Sequence, residues 1–243
     1  MKIARYLILY FLICKVSFVF SQSPFEVKDD ISTIRNIALT WQLEPNDLVS
    51  LSVRDKYTSD NNGVEHIYVQ QELDGIPVDK AISGFHFSKN GALVYATNGF
   101  LSNLKNRIVL GSLYNKPEIS AWQAVRYAAN ALGKQTDNKE AIIPDTHKEG
   151  KYIFKKEEWS ESEIVVFLVF VRERNGFLKL AWEVSLDDPD SPDYWVYKVD
   201  ATSGEILQKE NYTLYCNHAG HKPALHNHSE KKINMVRLRC HYV

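Results

Sequence analysis

Apolar residues recur at helical spacing near the start of the chain, over residues 29–44. Asp29 or Asp30 is suited to cap the first turn, because a short acidic side chain accepts hydrogen bonds from free backbone N–H groups. The apolar positions of this stretch are Ile31, Ile34, Ile37, Ala38 and Trp41. This spacing predicts an amphipathic helix.

The same period returns over residues 120–132 and gives the clearest helix of the sequence. Ser120 and Gln123 form a capping-box pattern at its start, and Gly133 stands where a helix commonly ends. The apolar face consists of Val125, Ala128, Ala129 and Leu132. A second helix is therefore predicted.

Short alternating segments separate the two predicted helices and favour β-strands. They lie at residues 48–54, 66–73, 81–88 and 92–98. Asp74-Gly75 is a strong hairpin signal, and Lys89-Asn90-Gly91 supplies another tight turn. These strands are predicted to form an antiparallel meander.

A second group of strands follows the second helix, after a polar stretch over residues 134–162 that we interpret as a connector or long hairpin region. The strands are predicted at residues 164–171, 178–186, 194–199 and 205–208. One of them alternates without a break and places five large side chains on one face: Leu178, Leu180, Trp182, Val184 and Leu186. The predicted fold class is α+β, with helices packed on antiparallel meander sheets.

Residues 1–21 have the order typical of a signal peptide. Lys2 and Arg5 precede an apolar stretch from Tyr6 to Phe20, and Ser21 offers a cleavage position before Gln22. A membrane anchor and an N-terminal core helix are the alternatives, but the stretch is short for a bilayer span. We expect an exported protein, either secreted or periplasmic, without a stable membrane span.

Composition narrows the range of functions. Apolar residues make up 44% of the chain, enough for a packed core. Removal of residues 1–21 would leave 26 basic and 30 acidic residues, a net charge of −4, and no long basic block indicates a nucleic-acid partner. Cys216 and Cys240 would remain, and two cysteines so close to the C-terminus can at most tie the tail.

Motifs of catalysis are missing from the sequence. It contains no His-Glu-x-x-His, no Gly-x-Ser-x-Gly and no glycine-rich phosphate loop. His66 and His86 fall on predicted strands without an evident nucleophile, and we interpret them as packed or hydrogen-bonded residues. No catalytic residue, cofactor or metal ligand is predicted, and the chain is not expected to be an enzyme.

The tail over residues 211–243 is rich in histidine: His218, His221, His226 and His228. One interpretation is that these side chains ligate Zn²⁺ or Cu²⁺, with Cys216 as a further ligand. The simpler interpretation is a solvated, flexible segment, because nothing in the pattern holds the ligands in place.

Two parts of the sequence resemble the pro-regions of fungalysin- and thermolysin-type zinc peptidases. The first runs His66-Ile-Tyr-Val-Gln-Gln-Glu-Leu-Asp-Gly-Ile-Pro-Val78 and continues Ala81-Ile-Ser-Gly-Phe-His-Phe-Ser-Lys-Asn-Gly91. The second comprises Leu180-Ala-Trp-Glu-Val184 and Asp193-Tyr-Trp-Val-Tyr-Lys-Val-Asp-Ala-Thr-Ser-Gly-Glu-Ile-Leu207, and is similar to a PepSY-like segment. The resemblance implies two sequential propeptide-like modules, over residues 22–112 and 113–210.

The resemblance also implies a partner, the catalytic domain of a zinc metallopeptidase, either in the same gene product or as a separate protein. The expected role is that of a folding chaperone or inhibitor, or of a truncated zymogen fragment. Tyr194, Trp195 and Tyr197 are the predicted partner-binding residues, although core packing is the alternative for such aromatics. An exported binding module of the same fold with a different partner is the alternative function.

Overall fold

A computed structural model describes residues 30–108, 116–136, 142–144, 150–187, 191, 193–215 and 238–239. The predicted signal peptide, the histidines of the tail, Cys216 and Cys240 lie outside the described residues. The helices are α1 (Asp30–Ala38) and α2 (Ala121–Ala131). The strands are β1 (Ser50–Thr58), β2 (Glu65–Leu73), β3 (Ile76–Phe87), β4 (Leu93–Thr97), β5 (Ile142–Pro144), β6 (Lys151–Phe154), β7 (Ile164–Arg172), β8 (Leu178–Asp187), β9 (Tyr194–Asp200), β10 (Ile206–Asn211), β11 (Leu214–Tyr215) and β12 (Leu238–Arg239).

Within the described residues, ten strands form one mixed sheet, and β11 and β12 form a separate parallel pair. The main path of the sheet is β1-β2-β3-β7-β8-β9-β10; β4 pairs with β3, β6 pairs with β7, and β5 pairs with β6. The α+β class is therefore confirmed only in a general sense, because the described part of the chain is mostly sheet with two short α-helices. The expectation of two separate antiparallel meanders needs correction, because β3 also runs parallel to β7, with Val78 beside Phe170.

The length of β3 explains this difference. The strand was expected to begin near residue 81, but it already starts at Ile76, directly after the Asp74-Gly75 turn. Both turn residues have positive φ, 50° and 81°, as a tight two-residue hairpin requires. The extra residues at the start of β3 lie beside β7 and join the two groups of strands.

The helix α1 shares an apolar core with the first four strands. Its buried residues are Ile34 and Ala38, and the helix is shorter than predicted because two 3₁₀ turns follow it, at Leu39–Trp41 and Pro45–Leu48. Gln42 ends the first of these turns in the left-handed conformation, with φ 62°. The strand residues of this core include Ile67, Val69 and Phe85.

The helix α2 begins as the sequence predicts. The Ser120 hydroxyl accepts a hydrogen bond from the Gln123 backbone N–H at 3.2 Å, and the Ser120 N–H donates to the Gln123 side chain at 2.7 Å. Buried residues of α2 share the main core with β7, β8 and β9. The predicted alternation along β8 is confirmed, because all five apolar residues from Leu178 to Leu186 are buried in that core.

Residues from the first half of the chain complete the main core. They include Leu73, Val78, Ala81 and Leu104. Trp182 is buried in this core and donates a hydrogen bond from Nε1 to the Ile119 carbonyl at 3.0 Å. The two groups of strands therefore share a core as well as a sheet.

Candidate functional site: an aromatic and histidine ladder on the outer sheet face

The sheet formed by β1–β4 has one covered and one open face. Side chains alternate between the faces of a strand, so residues paired across strands share a face. Ile67, Phe85 and Ala96 are paired in this way and pack in the core with α1. The neighbouring register positions therefore point away from α1.

Four ring side chains occupy one register row on this open face. Tyr57 on β1 is paired with His66 on β2, His66 with His86 on β3, and His86 with Tyr95 on β4. The two tyrosines are 44% and 61% exposed, and the two histidines are half-buried between them. We call these four residues the ladder.

The rings of the ladder are in contact along its whole length. Tyr57 stacks on His66 with a centroid separation of 4.7 Å, and His86 stacks on Tyr95 at 5.9 Å. The two histidine rings meet edge-on at 4.8 Å. Such cross-strand ring pairs stabilise a sheet by roughly 0.2–1 kcal/mol each.

The two histidines are also hydrogen-bonded to each other. Nδ1 of His66 lies 2.8 Å from Nδ1 of His86, and Nε2 of His66 lies 2.9 Å from the Ser59 hydroxyl. A nitrogen-to-nitrogen hydrogen bond needs one donor and one acceptor, so both Nδ1 atoms cannot carry protons at once. Burial, with a smaller contribution from His66, lowers the pKa of His86.

A second group of polar residues lies where β3 meets the later strands. Lys198 on β9 is paired with Glu183 on β8, and its ammonium group bonds to the Glu183 carboxylate. The same ammonium group lies 3.1 Å from Asp79 Oδ1 on β3, and Lys198 is only 1% exposed. Burial raises the pKa of Glu183, and the charge of Lys198 partly offsets this effect.

A distortion of β3 brings Asp79 to this position. Lys80 has φ 60°, in the left-handed region that side chains other than glycine rarely adopt. The Gln70 amide holds the distorted segment by donating hydrogen bonds to the carbonyls of Val78, at 2.8 Å, and Ala81, at 3.1 Å. Lys80 itself forms an ion pair with Glu210 on β10.

A cavity of about 230 Å³ adjoins this distorted segment. Its lining combines charged and polar side chains with backbone: Asp79, Lys80, Ala81, Gly99, Leu101, Arg172 and Gln208. It lies at the junction of the two strand groups, whereas the ladder lies on the open face of the first.

The three residues predicted to bind a partner occupy different environments. Tyr197 is fully buried in the main core. Trp195 is half-buried against that core, with the Lys209 ammonium group 4.0 Å from its ring centroid. Tyr194 is half-buried, and its backbone N–H donates to the Thr213 hydroxyl at 2.7 Å. Of the three, Tyr194 and Trp195 have accessible side-chain surface.

Two features are absent from the described residues. They contain no group of three or more His, Cys, Asp or Glu side chains placed to hold a metal ion. No helix in that part of the chain has both the length and the apolar character needed to cross a membrane.

The part of the chain that forms the ladder strands matches the model of a known sequence family. Residues 49–100 match the Fungalysin/Thermolysin Propeptide Motif. The matched propeptide motif begins one residue before β1, ends three residues after β4, and contains all four ladder residues. Propeptides are the non-catalytic part of these peptidase precursors. The resemblance inferred from residues 66–91 is therefore confirmed.

Curated relatives extend the similarity beyond the propeptide motif. Extracellular metalloproteinase 10 of Coccidioides posadasii is 29% identical over 168 residues, which cover 69% of this chain and 25% of the relative. Bacillolysin of Bacillus amyloliquefaciens is 29% identical over 156 residues, 63% of this chain and 26% of the relative. The chain thus matches only about a quarter of the length of these metalloproteinases.

Among solved structures, the Bacillus megaterium YpeB C-terminal domain is similar to this chain. The alignment covers 78% of this chain and 69% of the YpeB domain. The sequence identity is 14% and the TM-score is 0.35. A score this low supports no argument about shared architecture.

The ladder was not predicted from the sequence, although His66 and His86 were both placed on strands. Next to the turn, Leu73 is paired with Ile76, and an unbroken hairpin would set His66 opposite Ser83. The register shift between Gln70 and Glu72 instead sets His66 opposite His86. Two histidines on consecutive predicted strands were the only available signal.

Proposed function

We propose that this chain is an exported, non-catalytic pro-region-like protein that associates with the catalytic domain of a fungalysin/thermolysin-type zinc metallopeptidase. In this proposal residues 22–112 form the propeptide-motif module and residues 113–210 a PepSY-like module. The bound chain assists folding of the peptidase domain and blocks its activity. The observation that carries the proposal is the match of β1–β4 to the propeptide motif.

The similarity of the curated relatives supports the same conclusion. The relatives named above are metalloproteinases, and their similarity to this chain covers about a quarter of each. That share is the size expected of a pro-region beside a larger catalytic domain. The Coccidioides posadasii relative is named as extracellular, which supports export of this chain.

Binding of a native-like peptidase domain explains how one contact can serve both roles. A protein that binds the folded domain but not its unfolded chain stabilises the folded state, by about 2.7 kcal/mol at a hundredfold excess over Kd. The same contact excludes substrate if it covers the active-site cleft. No chemical group of the pro-region needs to react.

The open face of β1–β4 is the proposed contact surface. It lies within the propeptide motif and presents Tyr57 and Tyr95, both well exposed. Tyrosine is enriched among residues that dominate binding energy at interfaces. The surface around Tyr194 and Trp195 remains the second proposed contact; Tyr197 would support it only from within the core.

The decisive experiment refolds a denatured fungalysin-type peptidase domain with and without the purified chain, then measures cleavage of a peptide substrate. We expect a higher refolding yield and inhibition of the folded enzyme at micromolar concentration. Tyr95→Ala should weaken inhibition at least tenfold if the ladder is the contact, and Trp195→Ala should do so if the second surface is. Tyr127→Ala on α2 is the matched control, because Tyr127 is also exposed, at 42%.

Failure of the wild-type chain to change either yield or activity would refute the peptidase partner. The alternative, an exported binding module with another partner, would then be favoured. Export is tested separately by mass spectrometry of the protein outside the cell, where the N-terminus should lie within a few residues of Gln22. An intact Met1 on that protein would contradict the predicted signal peptide.

A further inference from the structure

The two ladder histidines bring a pair of imidazole nitrogens together on one sheet face. His66 and His86 are directly opposite each other on β2 and β3, and their Nδ1 atoms are 2.8 Å apart. We propose that this pair chelates a divalent transition-metal ion, with preference for Cu²⁺ or Ni²⁺. The inference rests on the geometry of the pair and is independent of the proposed peptidase partner.

The separation of the nitrogens selects the class of metal. With metal–nitrogen bonds of about 2.0–2.1 Å, two nitrogens 2.8 Å apart subtend an angle of roughly 90° at the metal. That is the angle between neighbouring ligands in square-planar or octahedral geometry, which Cu²⁺ and Ni²⁺ favour. A tetrahedral Zn²⁺ site would require the nitrogens to separate by about 0.5 Å. Water completes the coordination in either case.

Ser59 supports the tautomer that a metal requires. A metal bound at Nδ1 leaves the imidazole proton on Nε2, and Nε2 of His66 lies 2.9 Å from the Ser59 hydroxyl oxygen. Metal-binding histidines usually donate their second N–H to such an oxygen, which fixes the ring and its tautomer. The oxygen that would orient a metal-bound His66 ring is therefore already within hydrogen-bond distance.

The flanking tyrosines hold the two rings in this orientation. Tyr57 stacks nearly parallel to His66, with 14° between the ring planes, and Tyr95 stacks on His86 with 8°. Ring positions fixed before binding reduce the conformational entropy that a chelating pair loses. Both histidines remain partly exposed, so an ion can reach them from solvent.

Histidines elsewhere in the chain complicate a direct titration, so the experiment begins with a full-length reference chain. In this reference chain the five histidines after residue 216 are replaced by glutamine: His218, His221, His226, His228 and His241. Cu²⁺ is titrated without any peptidase and followed by calorimetry and electron paramagnetic resonance. We expect one strong equivalent whose spectrum shows two nitrogen ligands.

His66→Gln and His86→Gln, each introduced separately, should weaken Cu²⁺ binding at least tenfold in the reference chain. Ser59→Ala should weaken it severalfold, because only the orienting bond is lost. His147→Gln is the matched control and should leave the affinity unchanged. Circular dichroism verifies that each variant is folded.

Unchanged affinity in both single variants, or a spectrum without nitrogen ligands, would overturn the proposal. Tighter binding of Zn²⁺ than of Cu²⁺ would overturn the proposed metal preference. Because the peptidase is absent from these measurements, the metal site and the proposed function can each fail without the other.

Discussion

Lys198 is the residue whose replacement should reveal most about how the two strand groups are held together. Its ammonium group is buried between the carboxylates of Glu183 and Asp79, whose side chains are 7% and 12% exposed. Lys198→Met keeps the length of the side chain but leaves both acids without their cation. Breaking a buried ion pair in this way typically destabilises a protein by about 3–5 kcal/mol.

This loss is large enough to measure in a urea titration. With an m-value of about 2–3 kcal/mol/M, it corresponds to a decrease of roughly 1–2 M in the unfolding midpoint at pH 7, followed by tryptophan fluorescence. Lys80→Met is the matched control, because the Lys80 side chain is 61% exposed in its pair with Glu210. An exposed pair contributes about 0–1 kcal/mol, so the midpoint should change little.

The pH dependence gives the prediction a second test. Burial raises the pKa of Glu183, and loss of Lys198 removes the charge that opposes this shift. A carboxyl group whose folded pKa lies above its unfolded value destabilises the fold at neutral pH and ceases to do so once both states are protonated. The defect of Lys198→Met should therefore shrink as the pH falls toward 4.5, the ordinary value for Glu. A midpoint equal to that of Lys80→Met, with no recovery in acid, would refute the reasoning.

Three further substitutions test the local structure. Gly99→Ala should prevent stable folding, because an added Cβ would lie 2.0 Å from the Ile82 carbonyl oxygen; soluble, cooperatively unfolding protein would contradict this. Ser120→Ala should destabilise the protein by about 1 kcal/mol through loss of the α2 cap, measured by thermal unfolding, and an unchanged midpoint would argue against the cap. Burial alone would raise the pKa of Asp200, but Lys179 and two backbone N–H groups outweigh it and lower the pKa below 3.8. The wild-type protein should therefore lose stability as the pH falls below 3.8, and Asp200→Asn should lose less over the same range.

Much of the fold could be predicted from local pattern. The alternation along β8, the capping box of α2 and the Asp74-Gly75 turn each depend on neighbouring residues alone, and each appears in the structure. The parallel contact of Val78 with Phe170 could not be predicted in this way, because it joins residues far apart in sequence.

The ladder could not be predicted for a related reason. Its register depends on the distorted segment around Lys80, a left-handed residue that no turn motif announces. The partner-binding hypothesis for Tyr194, Trp195 and Tyr197 shows that burial is also difficult to predict from the sequence. Strand alternation separates the two faces correctly, but only the packed structure shows that Tyr197 is buried and that Tyr57 and Tyr95 are exposed.

The shared main core has a consequence for synthesis of the chain. Leu73, Val78, Ala81 and Leu104 leave the ribosome well before Val199, which belongs to the same core. At about 5–20 residues per second, the roughly one hundred intervening residues delay completion of the core by on the order of 5–20 seconds. During that interval the first strands can pack against α1. Their residues that belong to the main core, such as Leu73 and Val78, stay exposed to solvent. We therefore expect chaperones to bind the nascent chain early, before the second half of the protein has been synthesised.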